Sequence, residues 1–280
     1  MNQDVEIFIQ QAIEEDIAQI GDITTLATIP KDQLGQAHFL VKEACVIAGV
    51  EMVNCIAHKV DPNLHIKFTV QDGDTILQNQ IIGQVEGRIH SILMAERLML
   101  NCMQRMSGIA TKVHRLKTMI ATYPAKILDT RKTTPNFRMA EKWAVRIGGG
   151  VNHRFGLYDM ILIKDNHIKA AGGVALALEA TKQYCAAEKV NLPVVVEVKN
   201  QMELLEALDF DFVSRILLDN MTPATVAEMI TINQQRKPLE VSGGIHQDNI
   251  VAYAATGVDF ISIGDLTHHI ESVDISLKII

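Results

Sequence analysis

VVVEV (194–198), RILLD (215–219), PLEV (238–241) and DFISI (259–263) are short runs of β-branched and leucine residues whose starts recur about every 22 residues. That interval fits a strand, a helix and two loops, and amphipathic stretches such as VALALEATKQYCAAE (174–188) and PATVAEMITINQQ (223–235) fill most of the gaps. AKILD (125–129) and MILIK (160–164) are two earlier runs of the same kind. Strands that alternate with helices predict parallel pairing, because a parallel strand is reached only through a crossover. The expected architecture is a (β/α) barrel, with a doubly wound open sheet as the competing arrangement.

Upstream, a helical pattern runs from His90 to about Ala121, with Ile92, Met94, Ala95, Leu98, Met99, Cys102, Met103 and Met106 on one wide apolar face. The methionine stripe reads as core or helix–helix packing. A face so broad is more than one helix hides, and a subunit interface would cover it. Residues 36–86 contain the β-like runs AHFLVKEACVIAGV (37–50), HIKFTV (65–70) and IIGQVEG (81–87), a turn at Asp72-Gly73-Asp74 and one helix at about 51–60. An amphipathic helix over 4–20, with Val5, Ile9, Ala12, Ile13, Ile17 and Ile20 inward, ends at Gly21. Residues 1–90 therefore predict a small α+β unit.

A chain of 280 residues holds one large domain or two modest ones, and 48% hydrophobic with 21% charged residues excludes disordered, collagen-like and disulfide-scaffold classes. Cys45, Cys55, Cys102 and Cys185 are far apart and form no CxxC pair, so they read as buried thiols and suggest neither zinc nor redox chemistry. No window approaches the ~18 apolar residues of a membrane span. The start, MNQDVEIF, is acidic where a leader peptide would be basic, so a cytoplasmic location is expected. The net charge of −7 argues against a nucleic-acid-binding protein. Between Lys126 and Lys169, however, nine Lys and Arg face four Asp and Glu, a local balance of +5 in a chain whose remainder carries −12. Such a segment is either a solvated face or a site for a small anion.

The ends of the predicted strands favour the second alternative. They read Asp129 with Arg131 and Lys132, Lys164-Asp165, Glu197 with Lys199, Asp219-Asn220, Ser242-Gly243-Gly244 and Gly264-Asp265. Any one of these could serve only as a cap or a loop residue. Together they converge, in a (β/α) barrel, on the face where active sites form. Ser242-Gly243-Gly244, between a strand and a helix, is suited to cradle a phosphate on backbone N–H groups. Arg131, Lys132, Arg154 and Lys164 supply cations and His153 a donor, so the ligand should be polyanionic. Glu197 and Asp219 are acids inside a basic mouth, suited to a divalent metal or to sugar hydroxyls, or else to local charge balance.

Longer strings are recognisable. Asp129-Thr130-Arg131-Lys132-Thr133-Thr134-Pro135, Gly148-Gly149-Gly150-Val151-Asn152-His153-Arg154-Phe155-Gly156-Leu157 and Leu162-Ile163-Lys164-Asp165-Asn166-His167 closely resemble the quinolinate phosphoribosyltransferase family. So do Gly21-Asp22-Ile23-Thr24-Thr25, Ala95-Glu96-Arg97, Ser107-Gly108-Ile109-Ala110-Thr111, Thr267-His268 and Asp274-Ile275-Ser276-Leu277, so that the resemblance spans nearly the whole chain.

The resemblance implies that quinolinate and 5-phosphoribosyl-1-pyrophosphate give nicotinate mononucleotide, pyrophosphate and CO2 with Mg2+, a step of NAD biosynthesis. It implies an α+β N-terminal domain, 1–107, joined by the C-terminal segment 268–280, and an incomplete (β/α) barrel over 108–267. It implies a homodimer or larger assembly with shared active sites, in which Arg97 reaches the neighbour's barrel. Carried over by position, Arg131, His153, Arg154 and Lys164, with Arg97 from the partner, line the quinolinate pocket, and Thr130 is a further substrate-binding position. Lys132 and Lys164 meet the pyrophosphate donor. Glu197 and Asp219 meet its ribose and the metal, which they hold directly or through water. Ser242, Gly243 and Gly244 with Ile263, Gly264 and Asp265 receive its 5-phosphate. Lys132, Lys164, Glu197 and Asp219 form the catalytic set. Two positions depart from the family pattern: Asp265, where a small residue is usual, and His269, where Ser is common. An Asp beside a phosphate repels it, so the Asp265 side chain is expected to point away.

Other readings of the residues alone are a Schiff-base aldolase or lyase using Lys164 and a non-catalytic phosphometabolite-binding protein. The molybdenum-transport-associated relatives share the fold, but the intact string NHRFGLYDMILIKDNH (152–167) argues against them.

Overall fold

The computed structural model describes residues 3–280; Met1 and Asn2, which begin the acidic N-terminus, lie outside the described residues. The chain begins with α1 (Gln3–Ile17), α2 (Ile23–Thr28), β1 (Leu34–Val41), β2 (Cys45–Val46), α3 (Val50–Val60), β3 (His65–Phe68), β4 (Thr75–Ile76) and β5 (Gln80–Arg88). The long helix α4 (Ile89–Met119) leads to β6 (Lys126–Leu128), α5 (Arg138–Ile147), β7 (Ile161–Ile163), α6 (Asp165–Ala171) and α7 (Val174–Ala187). Then come β8 (Val194–Val198), α8 (Gln201–Leu208), β9 (Val213–Asp219), α9 (Pro223–Asn233) and β10 (Leu239–Ser242). The chain closes with α10 (Ile250–Ala254), β11 (Phe260–Ser262), α11 (Asp265–His268) and β12 (Ile275–Ile279).

Packing gathers these elements into two compact units. One contains the residues up to His114, Thr133–Gly149 and Leu266–Ile280; the other contains Arg115–Lys132 and Gly150–Asp265. The division falls inside α4, and α5 belongs to the first unit although it lies between two strands of the second in sequence.

The first unit is built on an antiparallel sheet in the order β12-β1-β5-β3, so the last strand of the chain is an edge of the first sheet. Alternation along β1 puts Ala37, Phe39 and Val41 inward, each fully buried, and Phe39 packs on Phe68 at 5.1 Å between ring centroids. The α4 stripe is also core: Ile92, Ala95, Met99, Met103 and Met106 have no exposed surface. The chain buries these residues by itself, as the core reading of the stripe expects, so the stripe is no exposed apolar face that a subunit interface has to cover. The helix expected over 4–20 stops at Ile17. Gly21 N–H caps the Ile17 carbonyl at 2.9 Å, Ala18 turns to φ +46°, and Ile20 is left 74% exposed. A short helix not expected from the pattern, α2, follows because Asp22 accepts the N–H groups of Thr24 and Thr25 at 3.1 and 3.0 Å.

The second unit is a six-stranded sheet in the order β6-β11-β10-β9-β8-β7, parallel at every pairing. From β7 to β11 each strand lies beside its predecessor, and β6, the first, lies beside the last. A doubly wound sheet would instead have its first strand inside and reverse order around it. The ring is not closed. On its open side β6 makes a single parallel bridge, Leu128 to Val151, and β7 pairs only with β8 among the described residues. This is the incomplete barrel. All four cysteines are free, but only Cys45 and Cys102 are buried; Cys55 and Cys185 are half-buried, which corrects the reading of all four as buried. Cys185 lies late in α7, whose buried residues, Val174, Ala177 and Leu178, are confined to its first half.

Candidate active site

Register decides which side chains of the barrel share a face. Glu197 pairs with Leu217, Leu217 with Glu240, Glu240 with Phe260 and Phe260 with Lys126, so all five lie on one face. Counting on by two along each strand adds Asp219, Ser242 and Gly264 at the C-terminal ends. Counting back from Leu217 adds Arg215, and Ser262 follows Phe260 in the same way. Asp129 alternates to the opposite face. It is fully buried and accepts the Asn152 side-chain amide and the backbone N–H of His153 (2.8 Å), so this strand-end acid supports the 152–153 segment instead of facing a ligand.

The cations come from loops at the same strand ends. Thr130 Oγ1 accepts Lys132 N–H at 3.0 Å, a turn that leaves Arg131 and Lys132 exposed. Arg154 is 8% exposed and donates through Nη1 to the Met160 carbonyl at 3.2 Å. Burial first, and the Arg131 charge second, hold its guanidinium below the usual value against the opposing pull of Asp159. Two guanidinium groups that repel each other are poised for an anion. Lys164 stands at the N-cap of α6, exposed, with its N–H on His167 Nδ1 at 2.9 Å.

Glu197 is 9% exposed. Burial pushes its carboxyl up to about 7, the Asp219 charge and hydrogen bond and the Asp165 charge add to this, and Lys164 opposes it. Glu197, Asp219 and Lys164 are therefore within electrostatic reach of one another. Lys199 closes the group from the side, with Nζ 3.1 Å from Asp165 Oδ2.

The glycine loop is built differently from its reading. Gly243 and Gly244 both have positive φ, +101° and +60°, but α10 begins only at Ile250, so the loop is a turn and not a helix N-terminus. Gly243 is required twice over: its backbone is left-handed, and Asn220 Oδ1 occupies the place of a Cβ. Asn220 also donates its N–H to the Ser242 carbonyl at 2.9 Å and its side-chain amide to Asp219 at 3.0 Å, tying the β9 and β10 loops together. Ile263 is buried, Gly264 is half-buried, and the half-buried Asp265 opens α11 directly. Two hollows of about 450 and 540 Å3 among α7, α8 and the following loop include none of these residues.

Arg97 is exposed on the α4 surface of the first unit. Other parts of the recognisable strings are structural. Ser107 Oγ accepts Ala48 N–H at 3.0 Å and donates to its carbonyl, and Thr111 Oγ1 accepts Val46 N–H at 2.9 Å, pinning the β2 segment to α4.

Three residues not singled out in the sequence form a polar cluster beneath the mouth. Glu240, fully buried in mid-strand, accepts Ser262 Oγ–H, lies 2.8 Å from Arg215 Nε and 3.5 Å from His153 Nε2. The available signal was a charged residue inside an apolar run, as in PLEV and RILLD. Arg105 and Glu141 carry no mark in the sequence pattern. Buried Glu141 receives Arg105 Nε and Nη2 at 3.0 and 2.8 Å and Thr134 N–H at 3.1 Å, fixing the loop that follows Lys132 in the chain.

The family described as quinolinate phosphoribosyl transferase, N-terminal domain, matches residues 22–107, and the one described as its C-terminal domain matches 109–278. "Quinolinate phosphoribosyltransferase [decarboxylating] 1b" of Nicotiana tabacum is 43% identical over 290 residues, covering 99% of this chain and 82% of the relative. "Nicotinate-nucleotide pyrophosphorylase [carboxylating], chloroplastic" of Arabidopsis thaliana is 40% identical over 99% of this chain and 83% of its own length. The solved nicotinate-nucleotide pyrophosphorylase of Francisella tularensis superposes with a TM-score of 0.92 at 40% identity, covering 100% of this chain and 97% of that one. With both domains matched and relatives aligned from end to end, the chain belongs to the quinolinate phosphoribosyltransferase family.

Proposed function

We infer that the protein transfers the phosphoribosyl group of 5-phosphoribosyl-1-pyrophosphate to quinolinate and releases pyrophosphate and CO2, leaving nicotinate mononucleotide for NAD biosynthesis. The observation that carries this reading is the full-length likeness to relatives of that name. The grouping of Arg131 with Arg154, and of Lys164 with Glu197 and Asp219, on the C-terminal ends of a parallel barrel supports it.

The charge arrangement assigns the roles. Arg131 and Arg154, with Thr130, His153 and Lys164 around them, bind the two acceptor carboxylates, and Arg suits such planar anions. As pyrophosphate departs from the anomeric carbon, Lys132 and Lys164 neutralise the leaving charge. The acceptor nitrogen takes up the oxocarbenium-like carbon and becomes cationic. The bond to CO2 then breaks, its electron pair stays on the ring carbon beside that nitrogen, and a proton from solvent replaces the lost group. Ser242, Gly243, Gly244, Ile263, Gly264 and Asp265 form the 5-phosphate end.

Mg2+ fits the remaining acids. Asp219, beside Glu197, raises the cost of charging that carboxylate, a cost a hard divalent cation removes. Among the described residues no group of three or more metal ligands occurs, which suits a metal held by one or two carboxylates, directly or through water, together with substrate oxygens. When bound, the ion supplies further neutralisation of the leaving pyrophosphate.

We assign a homodimer or larger assembly in which Arg97 of one protomer completes the site of another, on the strength of the family likeness and the exposure of Arg97. A cytoplasmic location is favoured by four free cysteines; among the described residues no helix is long and apolar enough to cross a membrane.

The test is pyrophosphate release from quinolinate, 5-phosphoribosyl-1-pyrophosphate and Mg2+, with nicotinate as the competing acceptor. Removing one carboxylate strands a partly buried cation at a cost of about 1–3 kcal/mol, so quinolinate should win by roughly five- to 150-fold. Comparable turnover of nicotinate overturns the assignment.

A further inference from the structure

Glu240, Arg215 and Ser262, beneath the site, have no role in the chemistry just described, and they meet it at His153. Glu240 is fully buried on β10, and its neighbours come from three other places in the chain: Arg215 on β9, Ser262 on β11 and His153 in the loop before β7. The Arg215 guanidinium lies over the Phe260 ring, 4.8 Å from its centre. Its Nε is 2.8 Å from Glu240 Oε2, an ion pair without hydrogen-bond alignment, since neither atom has a directed hydrogen-bond partner among the described residues. Burial raises the Glu240 carboxyl, yet His153, Arg215 and Ser262 together outweigh it and hold the group below its usual value. The charge is kept, and a charge kept at zero exposure must act on its neighbours.

The neighbour that leads to the site is His153. Its Nδ1 accepts the backbone N–H of Arg154 at 2.7 Å, so Nδ1 bears no proton. The ring proton is then on Nε2, the nitrogen turned toward Glu240 at 3.5 Å. Both ring nitrogens face protein groups. The ring is thereby a strut between the buried carboxylate and the Arg154 backbone, with Asp129 holding the other side of the same residue through His153 N–H at 2.8 Å.

We propose that Glu240 is a positioning residue for the acceptor: by orienting the His153 ring onto the Arg154 backbone, it sets the Arg154 guanidinium against the quinolinate carboxylate. This rests on the functional reading above and extends it to a residue that touches no substrate. Ser262 holds the carboxylate by a hydrogen bond and Arg215 by charge, the carboxylate attracts Nε2 of the His153 ring across 3.5 Å, and the ring accepts the Arg154 N–H. A donor-site role would be different, because the donor's pyrophosphate and ribose are assigned to Lys132, Lys164, Glu197 and Asp219 and its 5-phosphate to the loops that follow Ser242 and Ile263.

Two variants test it. Glu240→Gln keeps the shape and removes the charge; Ser262→Ala removes one hydrogen bond and leaves the charge. In protein labelled with 15N at histidine, the His153 signals, identified by their loss in His153→Gln, should report the Nε2–H tautomer without substrate and should shift in Glu240→Gln. In steady-state assays the quinolinate KM should rise about tenfold or more in Glu240→Gln and roughly two- to fivefold in Ser262→Ala. The KM for the ribose donor should change by less than about twofold in both. In a His153→Ala background, Glu240→Gln should add nothing further to the quinolinate KM. An Nδ1–H tautomer in the wild type, equal rises in both KM values, or additive effects in the double variant overturn the proposal. Should Glu240→Gln fail to fold, the wild-type tautomer and Ser262→Ala decide it. If the wild type releases no pyrophosphate from quinolinate, the functional reading falls, and the tautomer measurement still decides the geometry on its own.

Discussion

Glu197 meets two opposing influences at the strand ends. Burial, with Asp219 and Asp165 adding to it, outweighs the attraction of Lys164 and moves its carboxyl from 4.5 up to about 7. The folded protein therefore holds a proton that the unfolded chain has lost across that window. The associated stability is complete below pH 4.5 and disappears as the pH rises through about 7. Without divalent cation or ligand, urea titrations from pH 4.5 to 8 should show unfolding free energy falling by on the order of 1–3 kcal/mol from this group. Glu197→Gln should flatten that slope, and a slope unchanged in the variant would place its origin elsewhere. Lys132 and Lys164 make a different case, because both are exposed and outside the core. Alanine at either should lower kcat by about 10²–10³ through lost stabilisation of the departing pyrophosphate. Melting should stay within about 0.5 kcal/mol of the wild type, as for surface changes generally. Near-normal turnover in both would remove these lysines from the site.

At the scale of elements, glycines in the recognisable strings mark places where segments touch. Gly148 ends α5 with an ordinary φ of −68°, so conformational freedom is not its purpose. A Cβ there would lie 2.5 Å from the Ala110 carbonyl and 2.7 Å from Val113 Cβ, on the facing α4. Gly108, also on α4, has the Glu271 carbonyl where a Cβ would be. Gly108→Ala and Gly148→Ala should each cost about 1–3 kcal/mol by forcing backbones apart. Circular dichroism melts of both variants check this, and unchanged midpoints would mean that the helices shift without penalty. The same reasoning explains why these strings are so long. Ser107 and Thr111 satisfy the β2 edge, and Gly108 and Gly148 permit close packing.

For the whole molecule, the question is whether one chain makes a complete site. The methionine face of α4 is buried without a second subunit, so it supplies no reason for pairing. What remains is Arg97, an exposed cation on the same helix, which we assign to the neighbouring protomer's site. Mixing inactive Arg97→Ala with inactive Lys164→Ala under subunit exchange should place one intact site in each heterodimer. Random exchange makes about half of the dimers mixed, so activity should return to roughly a quarter of the wild type by two-fold symmetry. Exchange without recovery would show that Arg97 serves its own barrel.

The sequence by itself determined the barrel strands, the polar groups at their ends and the family. β-branched runs, helical periodicity and contiguous strings are local properties, legible wherever a dozen neighbouring residues decide the outcome. It left open whether those strands close like a barrel or fan out, because order in a sheet depends on pairings far apart in the chain. The structure decided that by placing β6 beside β11. Tertiary structure alone also decided that Asp129 turns away from the mouth and that Ser242-Gly243-Gly244 is a turn ahead of a late helix. It alone brought Arg215, Glu240, Ser262 and His153 together. In the sequence Arg215, Glu240 and Ser262 each read as an isolated polar residue in an apolar run, and His153 reads as a donor with no sign of this carboxylate. Strand register and the alternation of side chains then make them neighbours, and only burial gives a lone charge a partner it cannot do without.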